Sequence, residues 1–397
     1  MIDFLFFIFF YIVVIVSTLG FGCFVIFFLK DKTINYADFG IIGLHGIFGL
    51  IFLSYSTNIF FSHSLAHNII VISLGCIFFL FYLFKKKKFV NEDFKHLFIV
   101  FGFLFLSFLV FKNHDDFHYY HFPYTLNLIN NKIQFGMGNF GHGFRTPSSI
   151  FYLNSITYLP FIKYQLFNIG QLMIWGFVNL ILIKEILSKK KINEFSFLYV
   201  LNLFSFVFIN IIFYRLSEHG TDRSAQILIF ILIIYILEFV NSNENYKEKF
   251  EKISVITVII ISLKAFYILY LILFIQVFLK ILKNKISIYR LLKSKIVLAS
   301  FLTSILFING NFSNSGCVVY PIKETCFNNL KWSIDKKEVE VMNNWYELWS
   351  KGGAAPNYRV KNPKEYIEKF NWVSNWINKY FFTKVSDTLG MIIIFII

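Results

Sequence analysis

The 397-residue chain is 57% hydrophobic and only 15% charged, with a formal net charge of +15. A soluble domain carries about 25% charged residues, so this composition excludes an ordinary water-soluble fold and predicts an all-α polytopic membrane protein. The positive charge lies in short lysine-rich runs between apolar segments, at residues 85–88, 189–191 and 280–295. That distribution is typical of cytoplasmic loops and argues against a nucleic-acid partner.

Apolar runs along the chain predict about ten or more transmembrane helices of roughly 20 residues each, with interfacial helices in the outer loops. The first, near residues 3–29, is too long for a signal-peptide core and lacks a basic leader, so we expect a retained transmembrane helix. Further helices are expected near 41–54, 68–84, 96–111, 168–187, 197–213, 226–240 and 296–310. Residues 253–282 are too long for one upright span and have basic flanks. A hairpin of two short helices that turns near Lys264 is therefore favoured over one tilted helix.

The alternation of lysine-rich loops orients these helices, because such loops favour the cytoplasmic side. Residues 1–111 and 168–310 are then transmembrane regions, and residues 112–167 form an extracytoplasmic loop with an acidic motif. Residues 311–384 are expected to form an extracytoplasmic subdomain. Residues 385–397 have the composition of the start of a further span, so we expect the natural protein to continue. The expected location is the bacterial inner membrane, with the active face extracytoplasmic.

The four cysteines divide into two pairs. Cys23 and Cys76 fall in predicted helices, where a small buried apolar residue is the simplest interpretation. Cys317 and Cys326 flank VVYPIKET in a polar segment, and they can form a disulfide if that segment faces an oxidising compartment.

Two adjacent carboxylates, Asp115 and Asp116, open the segment DDFHYYHFPY directly after an apolar run. Ionisable groups at membrane depth are costly and usually face partners or a wet cavity. A carboxylate there can accept a proton from an incoming hydroxyl, so the pair is the candidate catalytic centre. Capping of the following helix is the alternative. His118 lies between His114 and His121 on one predicted helical face. A divalent metal site is the alternative there, but interfacial histidines more often form hydrogen bonds, so no metal or other cofactor is favoured.

Three further stretches carry charge at the same predicted membrane boundary. In FGMGNFGHGFRTPSS, glycines at 138, 141 and 143 space out a histidine and an arginine. YRLSEHGTDRSAQ packs five ionisable side chains into nine residues, and ISLKAFY contains a lone lysine. Arginine and lysine neutralise phosphate oxygens, and glycines let backbone amides approach an anion closely. The candidate substrate- and phosphate-binding residues are His118, His142, Arg145, Arg215, Glu218, His219, Asp222, Arg223 and Lys264. The alternatives are glycines that only form turns, arginines paired with lipid headgroups or nearby carboxylates, and a lysine that snorkels to the interface.

A paired acidic motif at the start of a long outer segment resembles the GT-C glycosyltransferases, which include protein O-mannosyltransferases and lipid A aminoarabinose transferases. The segments DDFHYYHFPY, GHGFRTPSSIFYLNS and RLSEHGTDR look like those of a group of bacterial multi-span proteins often placed near that superfamily. The likeness covers most of residues 40–330. The family's acidic motif usually follows its first helix, whereas four predicted helices precede it here.

The resemblance implies a sugar donor carried on a polyprenyl phosphate, with Asp115 or Asp116 acting as general base. It also implies basic residues that hold the phosphate. The available side chains are Arg145, Arg215, Arg223 and Lys264. The expected activity is transfer of the sugar to an envelope glycan, lipid or protein, and the expected partners are the lipid-linked donor and membrane lipids.

Two other functions fit parts of the pattern. An O-antigen polymerase or ligase also has many spans and a late, large outer loop, and would rely on arginine and histidine rather than an aspartate base. A lipid or solute transporter would show repeated halves and charged or broken helices near the bilayer midplane. The charges here cluster at one boundary without an evident repeat, which favours an enzyme.

Overall fold

A computed structural model describes residues 2–29, 38–85, 91–109, 116–191, 196–212, 220–355 and 357–396. The chain divides into two compact units, Met1–Asn314 and Ser315–Ile397. Helices dominate both units, and the one sheet among the described residues is a two-stranded hairpin, so the predicted all-α class is confirmed.

The first unit is a bundle of long helices joined by short ones. Its α-helices are α1 (Ile2–Leu29), α2 (Phe39–Asn58), α3 (Leu65–Lys85), α4 (Asn91–Leu109), α5 (Phe122–Asn130), α6 (Ser149–Ser155), α7 (Ile169–Lys191), α8 (Phe197–Ile212), α9 (Thr221–Asn241), α10 (Tyr246–Leu263), α11 (Phe274–Lys283), α12 (Ile288–Leu292) and α13 (Lys295–Ser315, whose last residue opens the second unit). Several helices begin or end beyond the predicted bounds, because polar residues at their ends remain helical. Asp38, for example, extends α2 by accepting a hydrogen bond from the Ile41 amide at 2.7 Å.

Seven of the described helical segments are long and apolar enough to cross a membrane. They are Asp3–Leu29, Phe39–Asn58, Leu65–Lys85, Ile169–Ser188, Thr221–Asn241, Ala265–Lys283 and Lys295–Ser315. The prediction of a membrane protein with transmembrane helices is thus confirmed for seven of them. Helices α4 and α10 are not among the seven: α4 has Glu92 and Asp93 in its first turn, and α10 begins with the charged run YKEKFEK. Helix α8 has only 16 described residues.

The first three helices pack at backbone distance through glycines. A Cβ on Gly46 of α2 would stand 1.9 Å from the Thr18 carbonyl oxygen of α1. A Cβ on Gly20 of α1 would stand 1.8 Å from the Gly75 carbonyl oxygen of α3. Only glycine fits these positions, which is the usual device for close helix packing in membranes, where apolar side chains gain little by leaving lipid.

One end of the bundle, called here the basic-loop end, joins the starts of α2 and α4 to the end of α7. Lys184 Nζ lies 3.9 Å from Asp38 Oδ2 and 3.6 Å from Asp93 Oδ1. Asp38 is buried, which raises its carboxyl pKa, while the Ile41 amide and Lys184 oppose the shift. The opposite end, the long-segment end, is covered by residues 116–168. There the Ile133 amide donates to Asn58 O at the end of α2 (2.8 Å).

Residues 246–283 form the predicted hairpin. Helix α10 ends at Lys264, whose backbone is extended, and a 3₁₀ helix over Ala265–Leu273 continues into α11. Asn284 Nδ2 donates to Tyr246 Oη at 2.6 Å, so the two ends of the hairpin meet at the basic-loop end. The hairpin prediction is confirmed, and the single tilted helix is excluded.

The second unit is a small domain built around a disulfide. Cys317 and Cys326 are bonded, which confirms the predicted pairing. Both are buried in a cluster that includes Ile334, Val339 and Met342. Its helices and strands are α14 (Lys336–Ser350), β1 (Ala354–Ala355), β2 (Tyr358–Arg359), α15 (Pro363–Ile367), α16 (Val373–Trp376) and α17 (Ser386–Ile396), with a π-helix at Ile377–Val385.

Candidate functional site

The aspartate segment begins a short helix but does not cap it. Asp116 precedes a π-helical turn at Phe117–His121, and its side chain makes no capping hydrogen bond. Tyr120 Oη instead donates to Asp116 Oδ2 at 3.4 Å. The capping alternative therefore does not account for Asp116, whose side chain is half-buried. Asp115 lies outside the described residues.

Among the described residues, His118 and His121 do not share one face, which corrects the prediction made from α-helical spacing. A π-helix has more residues per turn than an α-helix, so residues three apart diverge. His118 is exposed, whereas His121 is 7% exposed with its ring 5.0 Å from that of Phe151. His114 lies outside the described residues, and those described contain no cluster of three or more His, Cys, Asp or Glu that could hold a metal.

The glycine-rich loop, residues 136–145, packs directly on the helical turn at residues 116–121, called here the aspartate helix. A Cβ on Gly143 would stand 2.2 Å from Tyr120 Cγ, so the loop backbone touches the ring that binds Asp116. Arg145 is 4% exposed, and its Nε donates to Gly138 O at 3.1 Å. The buried guanidinium thus stabilises the backbone of the same loop. His142 is exposed in the turn His142–Phe144.

This contact yields a matched pair of glycine variants. We expect Gly143→Ala to displace Tyr120, because the added methyl would overlap the ring by more than a side-chain adjustment can relieve. Gly141→Ala is the control, since a Cβ there meets only Tyr119 Oη at 3.5 Å and Phe144 Cδ2 at 3.9 Å, both ordinary contacts. The sugar transfer expected from the sequence, measured together with protein yield, should fall at least about tenfold in Gly143→Ala and stay near wild type in Gly141→Ala. Equal activity in both variants would contradict a functional link between loop and helix.

The loop before α9 meets the same site from another direction. A Cβ on Gly220 would stand 2.7 Å from His121 Cε1, and Gly220 has φ +57°, a conformation that suits glycine. Two residues later, Asp222 Oδ1 lies 2.5 Å from Lys264 Nζ, and both side chains are nearly half exposed. The ion pair gives Lys264 a partner within the protein. The alternative interpretation, a lysine that only snorkels to the membrane interface, did not include such a partner. Arg223, on the same turn, is half-buried, and its Nη1 donates to Gln226 Oε1 at 2.9 Å. Arg215, Glu218 and His219 lie outside the described residues.

An aromatic groove of about 510 Å³ adjoins the aspartate helix. It is lined by Asp3, Phe4, Phe7, Phe108, Leu109, Phe117, His118, Phe122, Tyr164, Gln165, Phe167 and Asn168. The start of α1, the end of α4 and the aspartate helix each contribute a wall. His118 therefore faces a mainly apolar groove, two residues from the carboxylate of Asp116.

A buried polar layer beneath the site was missed by the sequence analysis. Asn314 Nδ2 donates to Tyr124 Oη at 2.9 Å, and Tyr124 is also hydrogen-bonded to Tyr152. Burial raises the pKa of Tyr124, and these hydrogen bonds oppose the shift. Nearby, His63 Nδ1 lies 2.5 Å from Ser155 Oγ. In the sequence these residues are single polar side chains at the ends of apolar runs. Ordinary helix ends look the same, so the sequence alone does not distinguish this layer.

His63 is a structural rather than a catalytic histidine. It is 0% exposed, and burial, with a smaller contribution from His67, lowers its pKa to about 3. It is therefore neutral near pH 7. Asn68 holds the same turn through Nδ2, which donates to His63 O at 2.9 Å and Ser155 O at 2.8 Å.

Of the predicted site residues that the structure describes, most gather at the long-segment end. Contacts link the aspartate helix to the glycine-rich loop and to Gly220, and an ion pair links Asp222 to Lys264. The arrangement combines a carboxylate, several cations and an adjoining apolar groove, which together suit an amphipathic anionic ligand.

Comparison with known proteins gives one family. Residues 4–397 match the model of a family described as "Domain of unknown function (DUF8201)". No curated protein and no solved structure matches the chain.

Proposed function

Since the chain belongs to the DUF8201 family, whose description assigns no activity, we propose a function from the site itself: a membrane glycosyltransferase that moves a sugar from a polyprenyl-phosphate donor to an envelope glycan, lipid or protein. The proposed location is the extracytoplasmic face of the bacterial inner membrane. Helices α4, α8 and α10 would bring the number of spans to ten.

The observation that carries this proposal is the aromatic groove, two of whose lining residues, Phe117 and His118, directly follow Asp116 in the chain. A polyprenyl-phosphate sugar has an apolar chain, an anionic phosphate and a polar sugar, in that order. The groove offers mainly phenylalanine walls, and its volume of about 510 Å³ lies in the usual range for ligand pockets. Phe117 and His118 line it and directly follow Asp116. A donor lying with its chain in the groove would bring its phosphate and sugar to that carboxylate.

The cations supply the phosphate-binding part of the proposal. Lys264 and Arg223 stand on neighbouring elements, with Asp222 fixing the lysine at 2.5 Å. Lysine contributes a point charge and arginine a planar donor pair. Arg145 is assigned a supporting role, because it is buried against the glycine-rich loop.

In the proposed reaction, Asp116 or Asp115 accepts the proton of an acceptor hydroxyl. The acceptor oxygen forms a bond to C1 of the donor sugar while the bond from C1 to the phosphate oxygen breaks. The polyprenyl phosphate leaves with the bonding electron pair, and Lys264 and Arg223 stabilise its added negative charge. Groups aimed at developing charge are often the largest contribution to catalysis.

The orientation follows from the lysine-rich loops. Lys184, Lys280 and Lys283 lie near helix ends at the basic-loop end. Lysine favours the cytoplasmic side, so the long-segment end, with the groove and the cations, would face the outer leaflet.

The groove is tested with a polyprenyl phosphate that carries a diazirine in its apolar chain. We expect photolabelling of wild-type protein in the groove, and a severalfold loss of labelling in Phe4→Ala and in Phe117→Ala. Phe9→Ala is the matched control for Phe4→Ala, because Phe9 is 56% exposed and Phe4 49% exposed on the same helix, but only Phe4 lines the groove. Equal labelling of all three variants, or labels mapped away from the groove, would contradict the donor assignment.

A further inference from the structure

A second cavity of about 250 Å³ lies at the long-segment end, and Tyr152 of the buried polar layer forms part of its wall. The end of α2, residues 133–135, α6 and the end of α13 form its walls. It is lined by Tyr55, Asn58, Ile59, Ile133, Phe135, Tyr152, Leu306, Asn309, Gly310, Phe312 and Ser313. At this volume it holds roughly eight waters of about 30 Å³ each, which is less than the usual range for drug-sized ligands. Its occupant must be small.

The hydroxyl of Tyr55 points to a ligand. Tyr55 is 4% exposed, and its Oη has no hydrogen-bond partner among the described residues. Its ring stacks on Tyr152 with centroids 3.9 Å apart, which fixes the direction of the hydroxyl. An unsatisfied buried hydroxyl costs free energy that a phenylalanine would avoid. Tyr55 lines the cavity, so a small shift of the wall on ligand entry would give this hydroxyl the partner that it lacks.

The lining describes what can enter. None of its side chains is charged, which disfavours a phosphate or a carboxylate. Its polar groups are hydroxyls and amides, from Tyr55, Asn58, Asn309 and Ser313. Phe135, 58% exposed, adds an aromatic face. Neutral hydroxyl and amide donors beside an aromatic ring match one ring of a neutral sugar, which has hydroxyls at its edge and apolar C–H groups on its face.

Gly310 leaves the room for this ligand. A Cβ there would stand 3.3 Å from Tyr55 Cε1 and 4.0 Å from Tyr152 Oη. Alanine would therefore tighten the cavity where the unpartnered tyrosine meets Tyr152, without a backbone clash.

We propose that this cavity binds one neutral monosaccharide unit of the acceptor, at a distance from the hydroxyl that reacts. The proposal rests on the proposed transferase function. Packed aromatic rings connect the cavity to the charged site. The ring centroid of Tyr152 lies 6.3 Å from that of Tyr124, and the centroid of Tyr124 lies 5.3 Å from that of Phe151. The Phe151 centroid lies 5.0 Å from that of His121. A glycan acceptor that extends over this layer would have one unit in the cavity and another near the aspartates.

The test measures binding of the methyl glycosides of glucose, galactose and N-acetylglucosamine to the purified full chain in detergent. We expect at least one of them to bind. Tyr55→Phe, which removes the hydroxyl, and Gly310→Ala, which narrows the cavity, should each weaken that binding about tenfold. Tyr11→Phe is the control, because Tyr11 is also 4% exposed but its hydroxyl donates to Phe101 O at 2.8 Å.

The two tyrosine variants should differ in both unfolding temperature and affinity for the sugar. Without sugar, Tyr55→Phe should unfold at the wild-type temperature or above it, and Tyr11→Phe below it, because only the latter loses a hydrogen bond. With sugar, only Tyr55→Phe should lose affinity. No binding of any methyl glycoside, binding only when the glycoside carries a long alkyl chain, or unchanged affinity in Tyr55→Phe would overturn the proposal.

Failure of this proposal is separable from failure of the proposed function. Binding is measured without donor or turnover, and Asp116→Asn should bind the glycoside as wild type does. Transfer that depends on Asp116 without any glycoside binding would remove the cavity's role alone. Glycoside binding in a protein whose transfer ignores Asp116 would retain the cavity as a sugar site and remove the catalytic assignment.

Discussion

Replacing Asp116 by asparagine is expected to abolish sugar transfer while the protein still inserts and folds. Asparagine keeps the size of the side chain and an oxygen that can accept from Tyr120, whose Oη lies 3.4 Å from the carboxylate. It removes the basic oxygen that takes the acceptor's proton, a contribution of about 10²–10⁴-fold in rate. The measurement is transfer of labelled sugar from a polyprenyl-phosphate donor in membrane vesicles, with protein amount and thermal unfolding recorded alongside.

The control and the neighbouring aspartate make this result interpretable. Asp93→Asn makes the same chemical change at the basic-loop end, where the carboxylate pairs with Lys184 at 3.6 Å, and should leave transfer unchanged. Asp115→Asn and the double variant decide which member of the pair is the base. Full activity in both single variants and in the double variant would discard the mechanism. Loss of activity in Arg223→Gln together with full activity in the aspartate variants would favour the polymerase or ligase alternative.

Part of the fold was predictable because it depends on local composition. The hairpin at Lys264 followed from one charge in a long apolar run with basic flanks, since neither flank can be left in the bilayer. The disulfide followed from two cysteines nine residues apart in a polar segment. Both features are decided by residues close in sequence, which a single chain displays directly.

The rest of the site depends on contacts between distant segments. The aromatic groove joins Phe4 to Phe108 and Tyr164, and no spacing rule links those three positions. The histidine spacing failed for a related reason, because the π-helical turn at Phe117–His121 is a local departure from the α-helical period on which the argument relied. Tyr55 had no distinguishing signal in the sequence, since a missing hydrogen bond exists only in three dimensions.

Removing the charge of Lys264 is expected to weaken donor binding and also to slow the chemical step, because the lysine binds the phosphate and stabilises it as it leaves. A charge-assisted hydrogen bond contributes about 1.5–3 kcal/mol, so Lys264→Gln should raise the KM for a polyprenyl-phosphate sugar about 10- to 150-fold. Lys264→Arg should restore part of this, because the positive charge remains. The wild-type KM should rise with added salt, and that dependence should diminish in Lys264→Gln, since screening acts on partly exposed charges. Steady-state kinetics at varied donor and salt concentrations measure both effects.

The Asp222–Lys264 ion pair supplies the second half of this test. Asp222→Asn should also raise the donor KM, by less than Lys264→Gln, because it loosens the lysine without removing its charge. The double variant should then be no worse than Lys264→Gln, since the aspartate acts only through the lysine. Lys323→Gln is the matched control: its ammonium is 43% exposed and pairs with Glu340 at 3.1 Å, against 45% for Lys264. A KM that rises equally in Lys323→Gln and Lys264→Gln would attribute the effect to general surface charge and remove the lysine from the phosphate site.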